Sequence, residues 1–240
     1  MAEGETIATG APAPARKNAD LPVRIASAAV MLAVAVGAML AGDPWLDIFI
    51  VAVVAATMVE LVLLVMRATA SWPLRIVGFV AGAAYVGAAG FFMTQFPLPV
   101  LVGVIGAVIF VDTFAYFTGR TLGGPKIAPA ISPSKTWAGL MGAVIGATLW
   151  VAAWIYVVAR SVAGENTLWF EPMEMLQILG IGAMIAVAAQ AGDFFESWLK
   201  RKAGVKDSSS LIPGHGGVFD RTDGMIPVAI LAGLLVRGIS

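Results

Sequence analysis

LPVLVGVIGAVIFVDTFAYF, residues 98–117, runs for twenty residues with a single charge, Asp112. A helix needs about 20 mostly apolar residues to cross the hydrocarbon core of a bilayer, so this stretch predicts a membrane-spanning helix. Similar runs cover roughly 22–41, 45–66, 74–93, 137–159, 174–195 and 224–238, the last of them short. Over all 240 residues 59% are hydrophobic and 12% charged, about half the charged share of a soluble domain. Mean hydropathy is +0.89. The expected fold is therefore an all-α polytopic membrane protein of about seven transmembrane helices, within a range of six to nine.

Residues 1–20 are small, polar and interrupted by prolines, and read as a disordered cytosolic tail; 21–240 read as one transmembrane domain. A cleaved signal peptide is not expected, because the apolar run follows too late and is too long. Pro44, Pro73, Pro97 and Pro133 fall before helix starts, where proline is tolerated. Gly78 and Gly82, like Gly142 and Gly146, have the spacing of close helix packing in lipid.

Charge placement predicts orientation. With the N-terminus in the cytosol and seven alternating spans, Arg16, Lys17, Arg24, Arg67, Arg75, Arg120, Lys126, Lys135, Lys200, Arg201, Lys202, Lys206 and Arg221 fall on the cytosolic side. Only Arg160 and Arg237 fall on the other, so thirteen of the fifteen basic residues lie inside. That is the positive-inside pattern. Asp43, Asp47, Glu165, Glu171 and Glu174 sort to the outer face as ordinary loop charges. Glu60, Asp112, Asp193 and Glu196 lie instead near the cytosolic ends of helices. A carboxylate within a membrane helix is costly and marks a site or a pathway by default; the signal is sharpest for Asp112 and Asp193 and evenly balanced for Glu60.

Two polar loops face the cytosol on this reading. Residues 118–137, TGRTLGGPKIAPAISPSKTW, offer Arg120, Lys126 and Lys135 beside Ser132, Ser134 and Thr136. Cations next to hydroxyls and free backbone N–H groups are what phosphate oxygens need. Lys135 and Thr136 also stand at the start of the fifth span, where a helix N-terminus favours an anion. Residues 206–223, KDSSSLIPGHGGVFDRTD, carry five charges and the only histidine, and 192–205 carry five more. A third of the thirty charges thus gathers in one stretch. Asp220 and Asp223 are three apart, so one helical turn is expected to point both the same way. With Asp193 and Asp207 they put four carboxylates on a surface rich in Lys and Arg. Cysteine is absent and histidine occurs once, which excludes thiolate chemistry and His-rich metal sites. Any metal must be held mainly by oxygen, favouring Mg²⁺. The residues alone reach Mg²⁺-dependent phosphate chemistry on the cytosolic face of a membrane protein.

Residues 197–223, SWLKRKAGVKDSSSLIPGHGGVFDRTD, resemble the signature of the phosphatidate cytidylyltransferases, or CDP-diacylglycerol synthases. Ser197, Leu199, Lys200, Arg201, Lys206, Asp207, Ser209, Ile212, Pro213, His215, Gly216, Gly217, Asp220, Arg221 and Asp223 fit that long gapped pattern. Gly192–Asp193, Glu196–Ser197, DTFAYFTGR (112–120) and SPSKTW (132–137) resemble further segments of the family in the same order. The likeness covers roughly 98–238 and treats the first three spans only as generic hydrophobic helices, in a chain shorter than many relatives. Ala138 stands where many relatives carry an acidic or amide residue, and no role is given to it.

The resemblance implies that CTP and phosphatidate give CDP-diacylglycerol and pyrophosphate, with Mg²⁺, in a catalytic domain whose signature region is 193–223. Following it, Lys135, Asp193, Asp220 and Asp223 are the expected catalytic residues. Metal falls to Asp193, Asp220 and Asp223, with Asp112 as a further candidate. Ser132, Thr136, Lys200, Arg201, Lys206, Asp207, His215, Gly216, Gly217 and Arg221 are expected at the substrates. The setting implied is a bacterial-type inner membrane with a cytosolic N-terminus, no nucleic-acid partner, and a homodimer suggested by family likeness and Gly-rich helix faces.

Three alternatives compete. An ion-coupled transporter would place charges near mid-bilayer on helices broken in paired halves; here the charges cluster at one end. A CDP-alcohol phosphotransferase would show an Asp-Gly, Ala-Arg, Gly, Asp, Asp order that this sequence lacks. A cytidylyltransferase acting on another lipid phosphate remains an open alternative at this level.

Overall fold

The computed structural model describes residues 21–163 and 170–239. The expected tail and Glu165 lie outside them. The helices are α1 (Leu21–Ala41), α2 (Trp45–Ala68), α3 (Trp72–Gln95), α4 (Leu98–Thr121), α5 (Trp137–Ala163), α6 (Pro172–Ala203), α7 (Phe219–Thr222) and α8 (Met225–Ile239). Between α4 and α5 stand β1 (Lys126–Ala128) and β2 (Ser132–Thr136). The fold is all-α in its framework, as the hydropathy pattern predicts.

Six helices, α1 to α6, are long and apolar enough to cross a membrane. The seventh apolar run forms α8, only 15 residues long. At about 1.5 Å per residue it reaches roughly 22 Å, short of the ~30 Å hydrocarbon core. It serves as a core helix: Val228 and Ala229 are fully buried, and α8 packs against α3 and α6. Gly233 makes this approach close, since a Cβ there would come within 2.2 Å of the Phe92 ring.

The glycine pairs do what their spacing predicts. Added Cβ atoms at Gly78 and Gly82 would strike Val65 and Leu61 of α2 at 2.7 and 2.4 Å. Those at Gly142 and Gly146 would strike Thr118 and the backbone of Phe110 on α4 at 2.0 and 2.7 Å. Small residues here let helix backbones approach where lipid gives no hydrophobic drive to associate. One core cluster joins α2, α3, α7 and α8 around Leu61, Leu64, Val86 and Phe219. A second joins α4, α5, α6 and α8 around Val111, Ala143, Ala186 and Val228.

The longest helix, α6, starts on a capping box in which Glu171 and Glu174 each bond the other's backbone N–H, with Pro172 in the first turn. It ends at Gly204, whose φ of 68° is the left-handed stop that glycine accepts most readily. Lys200, Arg201 and Lys202 fill its last turn, where cations oppose the negative end of the helix dipole. α6 thus continues about two turns beyond the predicted span and carries these charges on its last turn.

The β1–β2 hairpin was not expected in the segment read as a loop. Lys126 pairs with Thr136 and Ala128 with Ser132, antiparallel. The element is short, and Pro129 and Pro133 obscure any alternation in the sequence. Its role is to return the chain beside α6, which sets Lys135 against Asp193.

Candidate active site

The signature loop is built around a residue far from it in sequence. Glu60, near the end of α2, is only 3% exposed. Its Oε1 accepts from Ser209 Oγ at 2.7 Å and Val218 N at 3.0 Å. Its Oε2 accepts from Phe219 N at 2.8 Å and lies 2.8 Å from Ser208 Oγ. The amides of Val218 and Phe219 open α7 and have no intrahelical acceptor, so a buried carboxylate both satisfies them and fixes where the helix begins. Gly217 leaves room for this: a Cβ there would lie 2.1 Å from Ser208 Oγ and 2.3 Å from Glu60 Oε2.

Asp220 closes the loop from its other side. Lys200 Nζ donates to Oδ1 at 2.6 Å, while Ser208 N and Gly217 N donate to Oδ2 at 2.9 and 2.7 Å. Ser208 Oγ also lies 2.8 Å from Oδ2, and its single proton serves Asp220 or Glu60 in turn. Burial would raise the Asp220 carboxyl, but the neighbouring Glu196 and Lys200 and the two amide donors outweigh it. They hold the group well below the usual carboxylate range. Gly216, with φ of 83°, brings the backbone so near that a Cβ would meet Asp220 Oδ2 at 2.7 Å. Lys200 Nζ donates as well to Glu196 Oε2 at 2.6 Å. Glu196 is 2% exposed, and its Oε1 has no hydrogen-bond partner.

The second cluster joins three elements. Lys135 of β2 forms an ion pair with Asp193 of α6. Asp223, between α7 and α8, lies close enough to Asp193 and Glu196 to feel both charges, and accepts from Gly224 N at 2.9 Å. Burial pushes the Asp223 carboxyl up, and the charges of Asp193 and Glu196 push it further. Close approach depends on Gly192, where a Cβ would lie 2.1 Å from the Asp223 carbonyl oxygen. The charges of Asp193, Lys135 and Arg221 all act on Asp112 of α4, so that carboxylate belongs to the same electrostatic neighbourhood.

Asp220 and Asp223 both lie against α6, with different partners on it. Asp220 meets α6 through Lys200 and also takes two backbone amides of the preceding loop, and Asp223 meets α6 beside Asp193 and Glu196. Among the described residues no three Asp, Glu or His side chains converge as a metal-binding group. Asp193 and Asp223 remain as two neighbouring acids, and carboxylate oxygens are the donors that suit a hard divalent cation.

The other expected residues divide between framework and rim. Thr136 is buried and its Oγ1 accepts from Gly139 N at 3.0 Å, capping α5. Ser132 is buried in the hairpin. Arg201, Lys206, Asp207 and Arg221 are exposed. Arg221 Nη2 donates to the His215 carbonyl at 2.9 Å, and His215 Nδ1 lies 2.8 Å from Ser27 Oγ of α1. Sequence reasoning missed Ser27 and left Glu60 evenly balanced. Only the isolated acid at the end of an apolar helix hinted at Glu60, and nothing in the sequence marks Ser27.

The sequence profile of the cytidylyltransferase family matches residues 94–238. The chain is 43% identical over 136 residues to a phosphatidate cytidylyltransferase of Brucella abortus (strain 2308), covering 57% of this chain and 46% of that protein. It is 41% identical over 119 residues to the enzyme so named in Rickettsia felis, covering 50% of each. In Rickettsia bellii the figure is 44% over 119 residues, covering 50% of this chain and 49% of the relative. The chain spans about half the length of the curated relatives it matches. The matched segment contains Lys135, Asp193, Asp220 and Asp223, the residues around which both polar clusters are built, and on that match the chain belongs to the cytidylyltransferase family.

Proposed function

We propose that this chain transfers the cytidylyl group of CTP to phosphatidate at the cytosolic face of the inner membrane, yielding CDP-diacylglycerol and pyrophosphate. The observation that carries the reading is the Asp193–Asp223 pair beside Lys135, inside the family-matched segment and at the highly charged end of an apolar bundle.

In the reaction an oxygen of the lipid phosphate attacks the α-phosphorus of CTP, and the bond from that phosphorus to the bridging oxygen of the β-phosphate breaks. Pyrophosphate leaves with the bonding electrons. The nucleophile is already an anion at neutral pH, so no general base is required. The protein's task is to bring anions together, align them and stabilise the leaving group. Asp193 and Asp223 would hold Mg²⁺, with Asp112 near them. When bound, the ion supplies charge neutralisation on the phosphate oxygens.

Lys135 is held by Asp193 at a position where a triphosphate can take over its charge. Arg201, Lys206 and Arg221, exposed around the loop, are suited to steer and hold phosphates. Lys200, clasped by Glu196 and Asp220, instead keeps the loop in shape. Asp220 shares that work, so the metal reading rests on Asp193 and Asp223.

A lipid substrate also needs an apolar place near the charges. A cavity of about 770 Å³ lies between α2, α3 and α6, with Val77, Ala81, Phe195 and Trp198 in its walls. Gly192, next to Asp193, lines it too, so an acyl chain there would lie beside the carboxylate pair.

Purified protein supplied with CTP, Mg²⁺ and a panel of lipid phosphates tests the substrate. Phosphatidate should be converted, with polyprenyl phosphate and ether-lipid phosphate far poorer. Preference for either of those two would reassign the lipid, and no conversion of any would remove the proposed activity.

A further inference from the structure

The first helix buries no residue along its length, yet its opening turns touch the signature loop. Ser27 Oγ lies 2.8 Å from His215 Nδ1, across 188 positions of sequence. One turn earlier, a Cβ built on Gly214 would stand 2.7 Å from Arg24 Cγ. Gly214 has φ of 75°, a conformation that glycine accepts most readily. The loop's backbone therefore lies directly against α1.

The Arg24 carbonyl, 3.0 Å from Ser27 Oγ, can only accept, so it competes with His215 Nδ1 for the one hydroxyl proton. With that proton directed at the Arg24 carbonyl, the Ser27 Oγ lone pairs face the imidazole as acceptors. We propose that Ser27 is a positioning residue that fixes His215 as the Nδ1–H tautomer. The Nε2 lone pair then points away from α1 as the ring's free acceptor. Arg221, bonded to the His215 carbonyl, holds the backbone while Ser27 holds the ring.

This assigns a specific chemistry to His215, resting on the nucleotidyl-transfer reading above. A bare Nε2 does not bind a phosphate oxygen, since two acceptors would face each other. It accepts from a substrate hydroxyl or amino group, such as those on the nucleoside of CTP. The charge for phosphates then comes from Lys135 and the exposed cations.

The protein's single histidine makes the test direct. Protein labelled with ¹⁵N only in histidine gives one pair of ring-nitrogen signals, which report which nitrogen carries the proton. In alkaline buffer the wild type should show a protonated Nδ1 and a bare Nε2. Ser27→Ala should move the ring toward the Nε2–H form that free imidazole side chains favour in water, while Ser27→Thr, which keeps the hydroxyl, should preserve the wild-type pattern. Ser27→Ala should also lower kcat/KM for CTP in the wild-type background and have no further effect in a His215→Gln background. An Nε2–H wild type, or a pattern indifferent to Ser27→Ala, would overturn the assignment. The spectra need no substrate, so they can fail while transfer activity stands, and the activity can fail while the spectra stand.

Discussion

Asp193→Asn and Asp223→Asn are each expected to lower nucleotidyl transfer by about a thousandfold or more, equivalent to ~4 kcal/mol of transition-state stabilisation. Each keeps the size of the side chain and removes one charge from the neighbouring pair that would hold the metal. The sign of the stability change should be opposite for Asp223. Its carboxyl is raised by burial and by the neighbouring acids. A group whose folded pKa lies above its unfolded value favours the fold at low pH and costs stability as pH rises beyond the ordinary carboxylate range. Removing that charge should therefore leave the Tm unchanged or raise it at neutral pH in a chelator. Turnover and melting curves of the two variants, side by side, check this. A Tm that fell along with activity would make Asp223 a framework residue.

Glu60→Ala is expected to lower stability by about 3 kcal/mol or more and to abolish transfer. It strips acceptors from the amides of Val218 and Phe219 and from the Ser209 hydroxyl, and each buried donor left unpaired costs about 1–3 kcal/mol. Glu60→Gln should recover part of the stability, since an amide oxygen serves only one side of the cluster while its NH₂ opposes donors on the other. Thermal melting in detergent, with limited proteolysis in the 206–218 loop, measures the effect. An Ala variant that melts like the wild type would mean the loop is held by Asp220 alone. Glu60 lies on α2, outside the family-matched residues 94–238. The N-terminal helices therefore contribute to the site's construction.

The helical framework was legible because lipid leaves few options: backbone groups must be satisfied within each segment, so apolar runs of sufficient length become helices. Glycine pairs at positions 78/82 and 142/146 were legible for a related reason. The run at 224–238 was legible as a short apolar helix, but not that its Val228 and Ala229 are fully buried in the bundle. The signature singled out Asp193, Asp220 and Asp223, but not the partners that hold Asp220. Those partners, Lys200 and the amides of Ser208 and Gly217, are brought together by the tertiary fold, which a helical spacing rule cannot anticipate. The contacts of Glu60 with Ser208 and Ser209 span 148 and 149 positions, and Ser27 with His215 spans 188. Pairings of that range leave no periodicity behind.

The central claim is that the Asp193–Asp223 end of the bundle joins the α-phosphate of CTP to a lipid phosphate. Two parallel reactions test it, one with CTP labelled at the α-phosphate and one with label at the γ-phosphate, each with phosphatidate and Mg²⁺. The account predicts that the α-label enters the lipid fraction and the γ-label leaves as pyrophosphate, and that both transfers vanish in Asp193→Asn. Label from the γ-position in the lipid, or α-label transfer that survives Asp193→Asn undiminished, would contradict it.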